Sequence, residues 1–297
     1  MYVIIGASGF IGSHLYDHYK RNKTDVLGTY CKHAYCPEWK YFDLCTDNFS
    51  DLADRYLDHG KKHAVIICGA NTSIDGCKRD ESASKCLNVS GVQKVLEQAN
   101  QRGIKCVFLS SEAVFNGRQG MYSEEDIPDP VTLYGKQKLQ IEQYMIHHLD
   151  NYLIFRLSRA AGSSFGEKDI FNEFYTKIMR GEEIVCLKNQ SFCLTEIGDI
   201  VCGITQALKQ GKNGLYHLSS ANYISRYELA DLYARKIFGG YEKILEKEYK
   251  EMSFLDDRHI YGGLKGNKSV DLLGIHYMGL NEILYRYFKT YQKEMQI

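Results

Sequence analysis

Hydrophobic positions in the first half of the chain fall in short unbroken runs, separated by stretches with helical spacing. Tyr2 to Ile5, Asp25 to Tyr30, Ala64 to Cys68, Lys105 to Leu109 and Asn151 to Phe155 read as strands. Runs without polar alternation predict strands covered on both faces. Between them, Ile11 to Arg21 puts Ile11, Leu15 and Tyr19 on one helical face, and Asn48 to His59 sets Leu52 and Tyr56 four apart. Ser82 to Arg102 and Leu133 to Leu149 read as two longer helices. Strands alternating with helices predict parallel strands joined by crossover helices, an α/β doubly wound sheet.

After about residue 160 the rhythm loosens. Phe171 to Arg180, Asp199 to Lys209, Arg226 to Phe238 and Leu280 to Gln292 read as helices, with short strands at Glu183 to Leu187 and Leu215 to Leu218. Ser225, with Glu228 three residues on, forms a capping box at the start of the third of these helices, and Gly239-Gly240 stops it. No Pro- or Ser-rich linker separates the halves. The expected plan is a nucleotide-binding domain over 1–160 and a smaller C-terminal α/β substrate-binding lobe over 161–297, appended to the first or interleaved with it.

Composition narrows the classes. The 297 residues carry 37 Lys plus Arg against 37 Asp plus Glu, a formal net charge of zero. Coating nucleic acid or an anionic membrane takes a large positive excess, so neither partner is expected. With 44% hydrophobic and 25% charged residues the chain is globular rather than disordered. No stretch approaches the roughly 18 apolar residues that span a bilayer, and the opening residues do not read as a secretory signal. Ten cysteines are scattered singly with no C-x-x-C. Buried free thiols in a reducing cytoplasm are the expectation. No His, Cys, Asp or Glu cluster has metal-ligand spacing; the adjacent His147 and His148 point apart on a helix and read as surface residues.

Gly6-x-x-Gly9-x-x-Gly12 follows the first strand and opens the first helix. There, backbone N–H groups and the helix dipole can hold a diphosphate. Gly6 permits the tight turn, Gly9 lets the backbone approach phosphates, and Gly12 lets the helix pack close to the sheet. Ser8, Phe10 and Ile11 lie in the same turn. The alternating pattern with this turn predicts a Rossmann-type dinucleotide site. An NAD-binding chain places an acid about 20 residues past the glycines to bind the ribose 2′-hydroxyl. Here the second strand ends Gly28-Thr-Tyr-Cys-Lys32-His33, with no acid, so Lys32 and His33 point to a 2′-phosphate and NADP is favoured over NAD. Asp43 and Leu44 are candidates for the adenine.

Tyr134-x-x-x-Lys138 lies on a predicted helix, where a four-residue spacing puts both side chains on one face. A nearby ammonium lowers a phenol's pKa, which lets Tyr134 exchange a proton. The same spacing at Tyr16-x-x-x-Lys20 is a chance match on a surface helix. What separates the two is Ser110-Ser111 at the end of the fourth predicted strand, since strand carboxyl ends border the ligand crevice of such sheets. A serine hydroxyl, a phenol and a nicotinamide cofactor together suit reversible hydride transfer to a carbonyl.

Several stretches resemble the extended short-chain dehydrogenase/reductase superfamily, and within it the dTDP-4-dehydrorhamnose reductase-like family of sugar-nucleotide reductases. They are Gly6-Ala-Ser-Gly-Phe-Ile-Gly12, Gly69-Ala-Asn-Thr-Ser-Ile-Asp75 with Asn88-Val89, Ser110-Ser-Glu-Ala-Val-Phe-Asn-Gly117, and Tyr134 to Lys138. Phe155 to Ser158, Gly214 to Ser219 and Ser225 to Ala230 extend the likeness over most of the chain. The resemblance implies a catalytic triad of Ser111, Tyr134 and Lys138, with Gly69, Ala70, Asn71 and Ser110 beside the cofactor. Where the family usually has Thr-Asp-Tyr this chain has Ser111-Glu112-Ala113; Arg159 stands at a common Trp, and Cys193-Leu194-Thr195 replaces Ser-Pro-Thr. These departures lie on the sugar side.

Glu112, Arg156, Arg159 and Asn172 are the main substrate-binding candidates, with Lys168, Lys188 and Arg258 as further cations and Gln190 and Thr195 as hydroxyl partners. The leading expectation is NADP-dependent reduction of a 4-keto sugar nucleotide. The alternatives are an NAD-dependent nucleotide-sugar epimerase or dehydratase, against which the missing acid after the second strand and the lack of an obvious acid/base pair beside Ser111 count, although Glu112 could serve as such an acid, and a non-catalytic cofactor-binding regulatory subunit. Helices flanking such a sheet offer a surface for a homodimer.

Overall fold

A computed structural model describes residues 1–58 and 60–295. In chain order the strands are β1 (Tyr2–Ile5), β2 (Val26–Tyr30), β3 (Lys40–Tyr41), β4 (Ala64–Ile67), β5 (Lys105–Ser111), β6 (Tyr152–Leu157), β7 (Arg159–Ala161), β8 (Ile184–Leu187), β9 (Ser191–Glu196), β10 (Gly214–Leu218), β11 (Tyr223–Ser225) and β12 (Ile244–Lys247). The helices are α1 (Phe10–Arg21), α2 (Phe49–Tyr56), α3 (Ile74–Arg79), α4 (Glu81–Lys85), α5 (Gly91–Gln101), α6 (Leu133–His148), α7 (Ile170–Met179), α8 (Ile197–Lys209), α9 (Arg226–Phe238), α10 (Asn267–Leu273) and α11 (Leu280–Met295).

Seven strands form one parallel sheet in the order β3-β2-β1-β4-β5-β6-β10. The apolar runs are buried on both sides, as their lack of alternation requires: every residue of β4 is buried. One face is covered by α2, α5 and α6 through Phe49, Leu52, Val95, Leu96, Ile141 and Met145. The other is covered by α1, α8 and α10 through Leu15, Tyr19, Ile200, Ile204 and Leu273. Each such side chain contributes roughly 1.5–3 kcal/mol by leaving water. The seventh strand and two of these helices come from beyond residue 160, so the sheet draws on both halves of the chain.

The remaining strands make two small sheets, β11-β9-β7 and β12-β8. With α7, α9 and α11 they enclose a separate core of Phe171, Phe174, Leu229, Tyr233, Ile283 and Tyr287. Ser225 and Glu228 form the expected capping box on α9, and Gly239 closes it in a left-handed conformation at φ 78°. The helix expected over Ser82 to Arg102 is divided: a π-helical turn at Cys86–Ser90 joins α4 to α5. The second helix ends at Tyr56; His59, its expected end, lies outside the described residues. All ten cysteines are free, but Cys31 and Cys45 are exposed, a correction to the expectation of burial, because both sit in loops rather than in apolar runs. No helix among the described residues is long and apolar enough to cross a membrane.

Candidate active site

A cleft of about 550 Å³ opens where β1, β4 and β5 end and the second lobe begins. Gly9, Phe10, Ile11, Gly12, Ala70, Ser110, Ser111, Tyr134 and Lys138 line it, together with Ser158, Arg159, Lys168, Glu173 and His259. The three residues of the expected triad, from two separate elements, share this one space.

The glycine turn is held by its own close packing. Gly6 has φ +85°, and a Cβ there would stand 2.7 Å from the Gly69 backbone. A Cβ on Gly12 would stand 2.3 Å from the Gly6 carbonyl oxygen. The turn and α1 therefore touch with no room for a side chain. Gly9 caps α1 without a side-chain hydrogen bond. The backbone N–H groups of the first helical turn have no partner within the helix. This is a cradle for an anion at the end of the cleft.

Ser111 ends β5, and its Oγ accepts from the Ala113 N–H at 3.2 Å, capping a short 3₁₀ turn. Thr132 caps α6 by accepting from the Gly135 N–H at 2.9 Å, which sets Tyr134 and Lys138 in the first turns of that helix. Lys138 Nζ donates to the Leu109 carbonyl at 2.8 Å and lies 5.7 Å from the centre of the Tyr134 ring. Burial pushes the Lys138 ammonium down to about 8, against a pull upward from Cys68 and Glu142. Burial also pushes the Tyr134 phenol above its ordinary value; Ser111 and Arg159 pull it back, while Cys77 and Glu112 add to the rise. The expected lowering by Lys138 is thus corrected: in this protein burial dominates, and the phenol is held protonated. The look-alike pair behaves differently. Tyr16 and Lys20 both hold Glu38 Oε2, at 2.9 and 2.6 Å, and neither lines the cleft.

Behind Ser111, Arg156 and Glu142 form a buried ion pair, with side chains 4% and 1% exposed and Nη2 to Oε2 at 2.7 Å. The Ser110 hydroxyl donates to the same carboxylate, and Arg156 Nη1 lies 3.4 Å from His217 Nε2. Arg156 is therefore a support under the site and not a substrate ligand, a correction to the sequence expectation. Its guanidinium is spent inside the sheet.

Other assignments are also redrawn. Asn172 is not part of the cleft lining: its backbone N–H meets the α7 cap, Asp169, at 3.0 Å, and Glu173 reaches the cleft instead. Thr195 is fully buried and accepts from the Ser220 N–H at 2.9 Å. Lys188 pairs with Glu248 on the surface, and Arg258 pairs with Asp75 at 2.8 Å. The Gln190 carbonyl takes the Arg226 N–H at 2.8 Å. Asn71 pins the loop after β4, donating its N–H to Asn88 Oδ1 at 2.8 Å, while Asn88 in the π-helical turn also donates to Gln137 on α6 at 2.7 Å. Gly69 lies in that loop, against the turn at Gly6. Lys32 and His33 are exposed in the loop after β2. Asp43 Oδ1 accepts from the Cys45 N–H at 2.8 Å, and Leu44 is buried. Ser8 borders a second hollow over α1, shared with Tyr35, Glu167 and Lys168.

Residues 1–290 match the family described as "RmlD substrate binding domain". The chain belongs to this family. Among relatives, "Methionine adenosyltransferase 2 subunit beta" of Danio rerio is 26% identical over 234 residues, 76% of this chain and 71% of its own length. "Probable low-salt glycan biosynthesis reductase Agl14" of Haloferax volcanii is 24% identical over 254 residues, 83% of each chain. The dTDP-4-dehydrorhamnose reductase of Bacillus anthracis in complex with NADP superposes with a TM-score of 0.83 at 23% identity, over 97% of this chain and 98% of the other. The RmlD-type fold is thus shared over nearly the whole molecule.

Two parts of the lining lie outside the sequence motifs, and of these only Lys168 is among the candidate cations of the sequence. Lys168 reaches the cleft from the loop before α7, and His259 from a loop after β12. Neither sits in a motif, and only the packing of the second lobe brings them in.

Proposed function

We propose that the chain is an NADP-dependent reductase of a 4-keto sugar nucleotide. The observation that carries this reading is the convergence of Ser111, Tyr134 and Lys138 on one cleft with the glycine turn. The cradle made by Gly6, Gly9 and Gly12 fits a dinucleotide's diphosphate, and its nicotinamide end would supply a hydride beside Ser111. Every other step falls to side chains. The Ser111 hydroxyl polarises the carbonyl. The protonated Tyr134 phenol gives its proton to the carbonyl oxygen as the hydride arrives at carbon. Lys138 and Arg159 then stabilise the phenolate that remains. Arg159 and Lys168 are the cations that line the cleft for a substrate diphosphate. The absence of an acid at the end of β2, with Lys32 and His33 in its place, supports NADP. The ten free thiols support a reducing cytoplasmic setting.

The test is the purified chain with NADPH or NADH and a panel of 4-keto sugar nucleotides, following the absorbance of the reduced nicotinamide. Net consumption of NADPH is the expected result. Turnover without net cofactor change would make the protein an epimerase or dehydratase. Cofactor binding with no turnover on any substrate would favour a second reading, a subunit of a larger assembly, to which the "subunit beta" relatives point. Lys32→Ala is expected to weaken NADPH binding about tenfold and NADH binding hardly at all. Equal weakening would remove the basis for NADP.

A further inference from the structure

Reduction of a ketone uses one proton, and Tyr134 provides it. The cleft contains a second pair of proton-transfer groups that this chemistry does not use. Glu112 follows Ser111 directly and is 8% exposed. Its Oε2 accepts from the Ser158 hydroxyl and the Gly263 N–H, both at 2.6 Å. Its Oε1 faces Nε2 of His259 at 3.9 Å. His259 lines the same cleft, and its Nδ1 is buried with no hydrogen-bond partner. A buried imidazole nitrogen without a partner costs stability and calls for a reason.

The two residues are fixed in place rather than drifting on a loop. Tyr261 donates its N–H to the Gly117 carbonyl at 2.9 Å, and Gly262 donates to the Ser191 carbonyl at 2.8 Å. A Cβ on Gly117, at φ +71°, would stand 2.5 Å from His259 Cβ, so only a glycine there admits the imidazole. Burial lowers the affinity of His259 for a proton, with Arg159 and Arg258 acting the same way and Glu112 opposing them. The imidazole is thus held toward its neutral form, in which a ring nitrogen can accept a proton.

We propose that His259 and Glu112 form a proton-transfer pair that enolises the keto sugar at the carbon next to its carbonyl. This rests on the reading of the cleft as a keto sugar nucleotide site. His259 takes the proton from that carbon. The C–H electron pair becomes the enolate, whose oxygen is held by Ser111 and the Tyr134 hydroxyl. Glu112 balances the imidazolium charge across the 3.9 Å gap. The proton then returns to carbon and the carbonyl reforms. Nothing is oxidised or reduced. The step is the first half of an epimerisation, and it gives the cleft an activity beyond hydride transfer.

The probe is a dTDP-linked 4-keto-6-deoxyhexose in D₂O with NADP⁺, so that no hydride is on offer. Proton NMR follows loss of the signals at positions 3 and 5 of the sugar. Deuterium is expected to enter well above a protein-free control. His259→Gln and Glu112→Gln should each slow entry about 100-fold. They should slow it at least tenfold more than they slow NADPH oxidation in the parallel assay, a split that a misfolded variant would not produce. NADPH oxidation with no deuterium entry overturns the pair and leaves the reductase standing. Deuterium entry unchanged in both variants also overturns it. Neither oxidation nor exchange with any keto sugar nucleotide overturns the reductase reading and the pair with it.

Discussion

The lining of the cleft divides into two stretches made by different means. The glycine turn, Ser110, Ser111, Tyr134 and Lys138 sit at strand ends or in the helices that follow, in one stack of strand–helix units. Ser158, Arg159, Lys168, Glu173 and His259 come from a short strand, loops and the first turn of α7 in the second lobe. Their positions depend on contacts such as the one between Gly263 and Glu112, which lie 151 residues apart. A strand end can be located from local pattern. A loop held by a distant partner cannot.

That contrast can be tested by substitutions. The largest effect is expected at the proton donor: Tyr134→Phe should lower kcat about 1000-fold while nucleotide affinity measured by fluorescence quenching stays within a few-fold. Surviving turnover would move the chemistry to the second stretch. Next comes the support under the first stretch. Arg156→Met leaves the Glu142 carboxylate buried without its counter-ion and should cost about 3–5 kcal/mol in urea unfolding. A loss under 1 kcal/mol would show that the ion pair is not what stiffens the sheet behind Ser111.

The same network sets a pH limit. His217 is held down to about 3 by burial first and by Arg156 second, against an ordinary value of 6.5. Between those values the unfolded chain binds a proton that the folded chain refuses, so stability falls as pH drops through that window. Between pH 7 and pH 5 the loss from this residue is about 2 kcal/mol, and His217→Gln should flatten it in paired urea titrations. The smallest effect belongs to the second stretch. Ser158 Oγ joins Glu112 to the Cys193 N–H, which it accepts at 3.1 Å. Ser158→Ala should cost about 1 kcal/mol, visible as a modest drop in the urea midpoint, and should raise KM for the sugar more than it lowers kcat.

Much of the first stretch was legible in the sequence because its signals are local. The strands are unbroken apolar runs and the turn needs Gly6 at positive φ; in the second lobe the equally local capping box of Ser225 and Glu228 announces the start of α9. Spacing alone was not enough. Tyr16 and Lys20 have the same separation as Tyr134 and Lys138 but meet at Glu38 away from the cleft; what distinguishes the second pair is the serine at the end of a neighbouring strand. Arg156 was misread because a charged residue within a strand can face a ligand or a buried carboxylate, and Glu142 lies on another element. The π-helical turn at Cys86–Ser90 went unseen because adding one residue to a helix barely disturbs its apolar spacing. His259 was out of reach for a further reason: its role depends on Gly117 and Glu112, and neither is near it in sequence.

The edge strand β10 has a consequence for how this molecule can be taken apart. It pairs with β6 along five residues, from Gly214↔Leu153 to Leu218↔Leu157, after the chain has already built part of the other lobe. A fragment ending near residue 160 would therefore leave β6 as a bare rim, open to sticking to its own copies. The nucleotide-holding half is not a detachable cassette, and gene fusions or split versions of this protein should keep the sheet's last strand with its first.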